Sequence, residues 1–467
     1  MVKTRFSPSP TGMMHIGNAR AALFSALYAT QTKGVFLLRI EDTDVVRSEH
    51  KYTELLEDDL HWLGVYWQEG PGVGGPHQPY WQSQRHDIYD RYYEQLESQG
   101  LAYPCFCTDQ ELALNRKLQI SRGQAPRYPG TCRALTKEEV AERIAKGSKP
   151  ALRFRVPVKT AVDFVDLVKG QQHFNSDDIG DFIIRRAEGT ASFMFCNAVD
   201  DSLMGITHVL RGDDHLANTP RQLMILQALN MRTPQYGHLS LIVGDDGAKL
   251  SKRHGSSNLH DLYDQGYLSL AVVNYLARLS HTYEQLNLMS FAELAANFKV
   301  ERLSRAPARF DKNQLLHWQK EAVMVLGADA VLTWLGAEIL EIVPADKQEL
   351  FADVMKKNIL FPHEAKKWAE IFFGQEIQFT HEQVEILKAA GAEFFHAAKE
   401  AVQQHGTDIK KVLDELKTKL NISGKKLFMP IRLALTGEEH GPEMAPIAML
   451  MGEKMLQRLE HVMRVVA

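Results

Sequence analysis

Apolar residues at the start of the chain switch between two periods. Positions 2–6 form a short strand-like run, and 7–12 a turn fixed by Pro8, Pro10 and Gly12. From Ile16 the apolar positions are Ala19, Ala22, Leu23, Ala26 and Leu27, the spacing of one helix face, with Gly34 where a helix would stop. Positions 35–40 are a β-branched, apolar run, broken by Arg39, of the kind that a parallel sheet buries on both faces. A second helix is predicted over 48–63, followed by a Gly/Pro-rich loop over 70–79. From about Trp81 to Ile183 predicted helices (88–99, 109–118, 137–145) alternate with short strands (151–156, 161–167), the texture of an inserted domain. The sheet is expected to resume at 181–185 and to continue through 192–199 and 206–212. A helix over 220–229 and a strand around 239–243 complete a second β-α-β half. After Leu259 the periodicity is almost wholly helical, with one helix over 268–279, a boundary near Lys320 and a last helix over 451–466. The expected fold is α/β: a Rossmann-like doubly wound parallel sheet with an inserted α+β domain, followed by an all-helical C-terminal half.

Bulk properties narrow the class without naming it. A chain of 467 residues has room for two to four domains. No run of about 18 apolar residues is present, so no membrane span is expected. The first residues run straight into a strand with no apolar signal segment, and four cysteines make no disulfide framework, so a reducing cytoplasm is the expected location. The formal net charge of −4 says nothing about nucleic acid, because a nucleic-acid binder needs a local basic surface rather than a basic total.

The chemistry begins where the first strand meets the first helix. His15 and Asn18 fall at a helix start, where unpaired backbone N–H groups and the positive end of the dipole favour phosphate. Gly17 lets a flat ring lie against the backbone, and the imidazole and amide could reach phosphate oxygens or a ribose. The run Arg39-Ile40-Glu41-Asp42-Thr43-Asp44 puts acids at a strand's carboxyl end, the ligand-binding edge of such sheets. Between Gly244 and Gly255 lies a glycine-bounded, lysine-rich loop, Lys249-Leu250-Ser251-Lys252-Arg253, suited to folding over phosphates. Arg5 lies inside the first strand, where a guanidinium needs a carboxylate partner.

These stretches together resemble the class I aminoacyl-tRNA synthetases, glutamyl branch. The string from Pro8 to Asn18 is similar to their first signature, Lys249–Arg253 to the second, and 39–44 to a run shared by the glutamyl and glutaminyl enzymes. The resemblance implies ATP with Mg²⁺ held by Pro8, Ser9, Thr11, Gly12, His15, Gly17, Asn18, Asp214, Lys249, Leu250, Ser251, Lys252 and Arg253. In that reading His15 and Lys252 stabilise the α-phosphate transition state and Lys249 steers pyrophosphate. It assigns L-glutamate to Arg5, Ser7, Ser9, Glu41, Phe193, Asn197 and Arg211, with Phe193 standing where the family often has Tyr, so that a hydroxyl donor is lost. Cys105, Cys107 and Cys132 match three ligands of a zinc site found in some bacterial members. The fourth ligand falls at Ala134, so reduced thiols are expected rather than zinc. The stretch 426–437 resembles the helical anticodon-binding region of the bacterial enzymes.

The implied domains are 1–82 and 184–256 for the two catalytic halves and 83–183 for an insertion that holds the acceptor end. A helical stem-contact domain over 257–322 and an all-helical anticodon-binding region over 323–467 follow. The implied activity is glutamate–tRNA ligation on tRNA-Glu by a monomer, and the sequence leaves open whether tRNA-Gln is charged as well. The rivals are a glutaminyl enzyme, against which the helical tail argues, and a noncatalytic tRNA-binding paralogue, against which His15, Lys249 and Lys252 argue.

Overall fold

A computed structural model describes residues 1–44, 48–248, 250, 258–374 and 377–467. Two compact units emerge, one formed by 1–264 and 269–315, the other by 265–268 and 316–467.

In the first unit β1 (Lys3–Phe6) leads through the Pro/Gly turn into α1 (Ile16–Gln31), and β2 (Val35–Leu38) pairs in parallel with β1 from Lys3 opposite Val35 to Phe6 opposite Leu38. All six apolar positions of the predicted α1 face are buried, so this face packs on the sheet as the period requires. The second half supplies β8 (His208–Gly212) and β9 (Gln235–Leu239), again parallel, and β10 (Ile242–Val243), parallel to β11 (Ala308–Arg309). The halves meet where Thr207 donates its backbone N–H to Lys3 O at 2.9 Å, just ahead of β8. This is the doubly wound α/β arrangement, with strand carboxyl ends gathered along one edge.

Between the halves α3 (His86–Ser98) leads to an antiparallel sheet of β3 (Ala102–Cys105), β4 (Ala151–Phe154) and β7 (Phe182–Arg185), and to the hairpin β5 (Ala161–Asp166) with β6 (Gly170–Asn175). Two expectations need correction here. The strand at 182–185 is an edge of this antiparallel sheet rather than the resumption of the parallel one. Residues 192–199 are no strand: α7 (Phe193–Leu203) is a helix, and every residue from Phe195 to Asp201 is buried. The aromatic run 193–195 favours a strand locally, but tertiary burial decides. The helix then turns Asn197, Asp200 and Asp201 inward together.

The second unit is helical throughout its described residues, from Pro362–Phe373 through Ala392–His405 to Lys454–Val466, around a core that includes Phe351, Phe372, Phe395, Val412, Leu433 and Leu459. No described helix in the chain is long and apolar enough to cross a membrane.

Candidate active site

The turn before α1 is held in place by backbone bonds. Thr11 N–H donates to Ser9 O, Glu41 N–H to Pro8 O and Glu49 N–H to Pro10 O, at 2.9, 2.9 and 3.1 Å. Pro8 is thereby buried, while Ser9, Thr11, His15, Gly17 and Asn18 are exposed and Gly12 is half-buried. A Cβ placed on Gly17 or Gly12 would meet nothing within 4 Å, so this face has open space for a ligand. His15 is the exposed N-cap residue of α1 and makes no side-chain cap bond to the helix. The helix is clamped from behind by buried Arg20, whose Nη1 donates to Ser280 Oγ at 2.8 Å and whose Nη2 donates to the Ser240 carbonyl.

The chain returns from the lysine-bearing loop beside this turn. Leu250 N–H donates to Ile242 O at 3.1 Å, and Gly244 N–H to Ala248 O at 2.9 Å, closing a tight turn at its start. The chain is described again at Asn258, which bridges to His15, and Leu259 N–H donates to Met14 O at 2.9 Å. Lys249, Ser251, Lys252 and Arg253 lie outside the described residues.

A buried polar basket lies on the other side. Asp201 accepts from Arg39 Nη1 at 2.8 Å and from Arg5 Nε at 3.3 Å to each oxygen. Burial pushes the Asp201 carboxyl up, but Arg5, Arg39 and Arg211 outweigh it and hold it below its ordinary range. Glu41 accepts from Arg39 Nη2 at 3.2 Å and from Asn197 Nδ2 at 2.5 Å, and Gln222 Nε2 donates to Asn197 Oδ1 at 2.8 Å. Desolvation leaves the Glu41 carboxyl raised in spite of these partners.

Arg211 donates through Nε to His238 Nε2 and through Nη2 to Thr219 Oγ1, at 3.1 and 2.9 Å, and lies 5.0 Å over the Tyr236 ring. Burial lowers it to about 10, still protonated at neutral pH. Arg211 Nη1, Ser7 Oγ and Tyr236 Oη are buried with no partner among the described residues. Leaving such groups unsatisfied is costly, about 1–3 kcal/mol each, so these three atoms can take the hydrogen bonds of a polar ligand.

Phe193 opens α7 with its ring 5.2 Å from that of His215, whose imidazole is pushed down to about 4 by burial and Arg211. Asp214 is exposed in the one-turn helix Asp213–Asn218 at the end of β8. The expected residues therefore form two groups, an exposed one at the α1 start and a buried one around Arg5, Glu41, Asn197 and Arg211.

Several participants carried no sign in the sequence reading. Asp200 accepts from Gln82 Nε2, Arg85 Nε and Tyr89 Oη at 2.9, 2.8 and 2.7 Å, tying α3 to α7. Asp201 and Gln222 were missed as well. The adjacent acids Asp200-Asp201 in an apolar run were the one available signal, since buried carboxylates demand cations.

In the insertion the Sγ atoms of Cys105, Cys107 and Cys132 lie within 4.8 Å of one another, with Cys107 and Cys132 3.7 Å apart. The Tyr128 hydroxyl lies 3.5 Å from both Cys105 and Cys107, a fourth donor that the spacing to Ala134 did not reveal. Burial raises Cys107 to about 11. Cys105 is held low because Tyr128 and Arg153 outweigh its burial.

The family described as tRNA synthetases class I (E and Q), catalytic domain, matches residues 1–317, and an anticodon binding domain family matches 291–463. The chain is 52% identical over 457 residues to Glutamate--tRNA ligase 2 of Coxiella burnetii (strain RSA 331 / Henzerling II), covering 98% of each. It is also 52% identical to Glutamate--tRNA ligase 1 of Halorhodospira halophila (strain DSM 244 / SL1), covering 98% of this chain and 96% of that one. A crystal structure of a glutamate tRNA ligase from Elizabethkingia meningosepticum CCUG26117, in complex with its amino acid, superposes over all of both chains with a TM-score of 0.91 at 28% identity. The chain belongs to the class I tRNA synthetases of the E and Q family.

Proposed function

We propose that the protein is a glutamate–tRNA ligase that activates L-glutamate with ATP and transfers it to the 3′-terminal adenosine of tRNA-Glu. The observation that carries the substrate choice is the buried basket. Arg5 and Arg211 offer cations matched to carboxylates, Glu41 offers an anion for the ammonium, and Arg211 Nη1 and Ser7 Oγ await partners. Ser9, Phe193 and Asn197 complete the amino-acid side.

In the first step a glutamate carboxylate oxygen attacks the α-phosphorus of ATP and pyrophosphate leaves, giving glutamyl-adenylate. The protein supplies no nucleophile, so it works by positioning and by donors aimed at the developing charge. His15 and Lys252 take the α-phosphate oxygens, Lys249 the leaving pyrophosphate, and Mg²⁺ shares the charge. Pro8, Thr11, Gly12, Gly17, Asn18, Leu250, Ser251, Arg253 and Asp214 form the rest of the nucleotide's surroundings. In the second step a ribose hydroxyl of the tRNA attacks the activated carbonyl and AMP leaves. The insertion over 83–183 holds the acceptor end, 257–322 the stem, and 323–467 the anticodon, with lysines on phosphates and splayed bases read by stacking and edge bonds.

The donor chemistry of Cys105, Cys107 and Cys132 fits zinc, since Zn–S bonds of about 2.3 Å set tetrahedral sulfurs about 3.8 Å apart. Those thiols, with Tyr128, would hold the ion, whose part would be to tie the segment 128–135 to β3. Stoichiometric zinc after chelator-free purification supports this reading, and metal-free, fully stable protein means reduced thiols.

ATP–pyrophosphate exchange with glutamate, with and without tRNA, tests the function. Exchange that depends on glutamate and rises with tRNA-Glu is expected. Exchange driven by glutamine instead would indicate a glutaminyl enzyme, and tight tRNA binding without exchange a noncatalytic relative. Charging purified tRNA-Gln beside tRNA-Glu decides the breadth of the acceptor.

A further inference from the structure

Arg211 is gripped from the side away from its unpartnered Nη1. The grip consists of His238 Nε2 and Thr219 Oγ1, which lie 3.1 Å from each other. The other ring nitrogen of His238 lies 2.5 Å from Asp166 Oδ2, and both side chains are fully buried. Asp166 Oδ1 in turn accepts the backbone N–H groups of Val168, Lys169 and His238, at 2.9, 2.7 and 3.2 Å. A carboxylate so surrounded by donors is ionised and can only accept. The proton between Asp166 and His238 therefore sits on Nδ1, and Nε2 presents a bare lone pair. A lone pair is what the Nε–H of an arginine needs.

We propose that Asp166 and His238 form a positioning pair for amino-acid recognition: the carboxylate sets the tautomer of His238, and that tautomer fixes the Arg211 guanidinium with Nη1 turned toward the substrate carboxylate. The proposal rests on the reading of Arg211 as a glutamate-binding residue. Neither Asp166 nor His238 touches the substrate in this scheme. Asp166 ends β5, outside the parallel sheet, so the aim of the arginine is set from the β5–β6 hairpin. That hairpin is docked for the purpose. Leu167 N–H donates to Tyr236 O at 2.8 Å, and Lys169 Nζ reaches Asp213 Oδ2 at 3.0 Å. A Cβ on Gly237 would lie 2.8 Å from Leu210 Cδ2 and 3.3 Å from Leu167 Cβ, so the bare backbone there admits the close approach.

The test compares Asp166→Asn, His238→Gln, the double variant, His238→Leu and Arg211→Gln in aminoacylation of tRNA-Glu at saturating ATP and tRNA. Asparagine keeps an oxygen for the backbone N–H groups but turns an NH₂ toward Nδ1. The ring proton then moves to Nε2 and meets the Arg211 Nε–H head-on, a wrong-tautomer effect. Asp166→Asn is expected to raise the glutamate KM about 10- to 100-fold, with the ATP KM within about twofold. His238→Gln, whose amide oxygen reaches the place of Nε2, is expected to stay within about threefold of the parent, and His238→Leu, which offers no acceptor, to rise about tenfold or more.

The decisive variant is the double. A glutamine has no tautomer to mis-set, so Asp166→Asn should add nothing to His238→Gln. The proposal is overturned if the double variant is as impaired as Asp166→Asn alone, if the ATP KM rises in step, or if His238→Leu leaves the glutamate KM unchanged. This last readout needs no folded Asp166→Asn protein. Arg211→Gln separates the two levels of the argument: an unchanged glutamate KM there removes the role of Arg211 itself. A raised one beside a normal His238→Leu removes only the positioning pair.

Discussion

The two sides of the site are built on opposite plans. Around the proposed glutamate pocket the chain assembles a buried basket, with Arg5, Arg39, Glu41, Asn197 and Asp201 shielded from solvent and bonded to one another, and buried Arg211 held beside them by His238 and Thr219. Around the nucleotide it presents an exposed turn and helix start, with Ser9, Thr11, His15, Gly17 and Asn18 open. The basket must be assembled for the domain to fold, because buried Arg5 and Arg39 take their carboxylate partners from within it. The open side has little to satisfy before a ligand arrives. Selectivity is thus tied to stability, and phosphate chemistry is not.

That contrast breaks most visibly at Asp201. Replacing it by Leu leaves Arg5 and Arg39 buried without their shared carboxylate, and an unfolding free energy lower by about 3–5 kcal/mol is expected from urea denaturation. A loss below about 1 kcal/mol would mean the arginines do not depend on each other's partner, and the basket is not a structural unit. For the proposed nucleotide chemistry, Lys252→Ala and His15→Ala should each cost about 3–4 kcal/mol of transition-state stabilisation in kcat/KM, with glutamate affinity little changed. His15→Ala should also leave the urea midpoint where it was. If it lowers the midpoint as Asp201→Leu does, the division between the two sides fails.

His215 borders both sides, and acid should expose it. Its imidazole is held near 4 by burial and Arg211, against an ordinary 6.5, so it is neutral in the folded protein at pH 7. As pH falls through 6.5 the unfolded chain binds a proton that the folded chain refuses, and stability declines until about pH 4. Asp201, held low, adds its own loss only at still lower pH. His215→Gln should flatten the stability curve between pH 6.5 and 4, and an unchanged slope would show that the ring takes up its proton in place.

How much of this was legible depended on whether a partner lay near in the chain. The turn 7–12, α1 and β2 could be read because periodicity and Pro/Gly punctuation are local signals, and His15 and Asn18 fell where a helix start had to be. The basket was legible only at its ligand-facing members. Arg5 meets Asp201 across 196 positions, and His238 meets Asp166 across 72, and no local pattern records such pairings. The misreading of 192–199 as a strand had the same root. Phe193-Met194-Phe195 has strand propensity, but Asn197, Asp200 and Asp201 must all turn inward, to Glu41, Arg85 and Arg5, and spacings of three and four share one face of a helix whereas a strand would send Asp200 to the other side. Propensity lost to a polar core that the sequence does not display.

The smallest effect tests how completely the basket is matched to its ligand. Phe193 stands half-buried at the first position of α7. Its ring already packs beside His215, so Phe193→Tyr adds one hydroxyl without moving a bond that the fold depends on. A single neutral hydrogen bond nets about 0.5–1.5 kcal/mol, which predicts a glutamate KM lowered by about two- to tenfold. The kcat and the ATP KM should not move, because the ring lies on the buried side. A KM that stays constant would mean that water or another polar group already supplies that bond. A KM that rises would mean that the pocket has closed around the smaller ring, and that it is fitted by shape there rather than by hydrogen bonding.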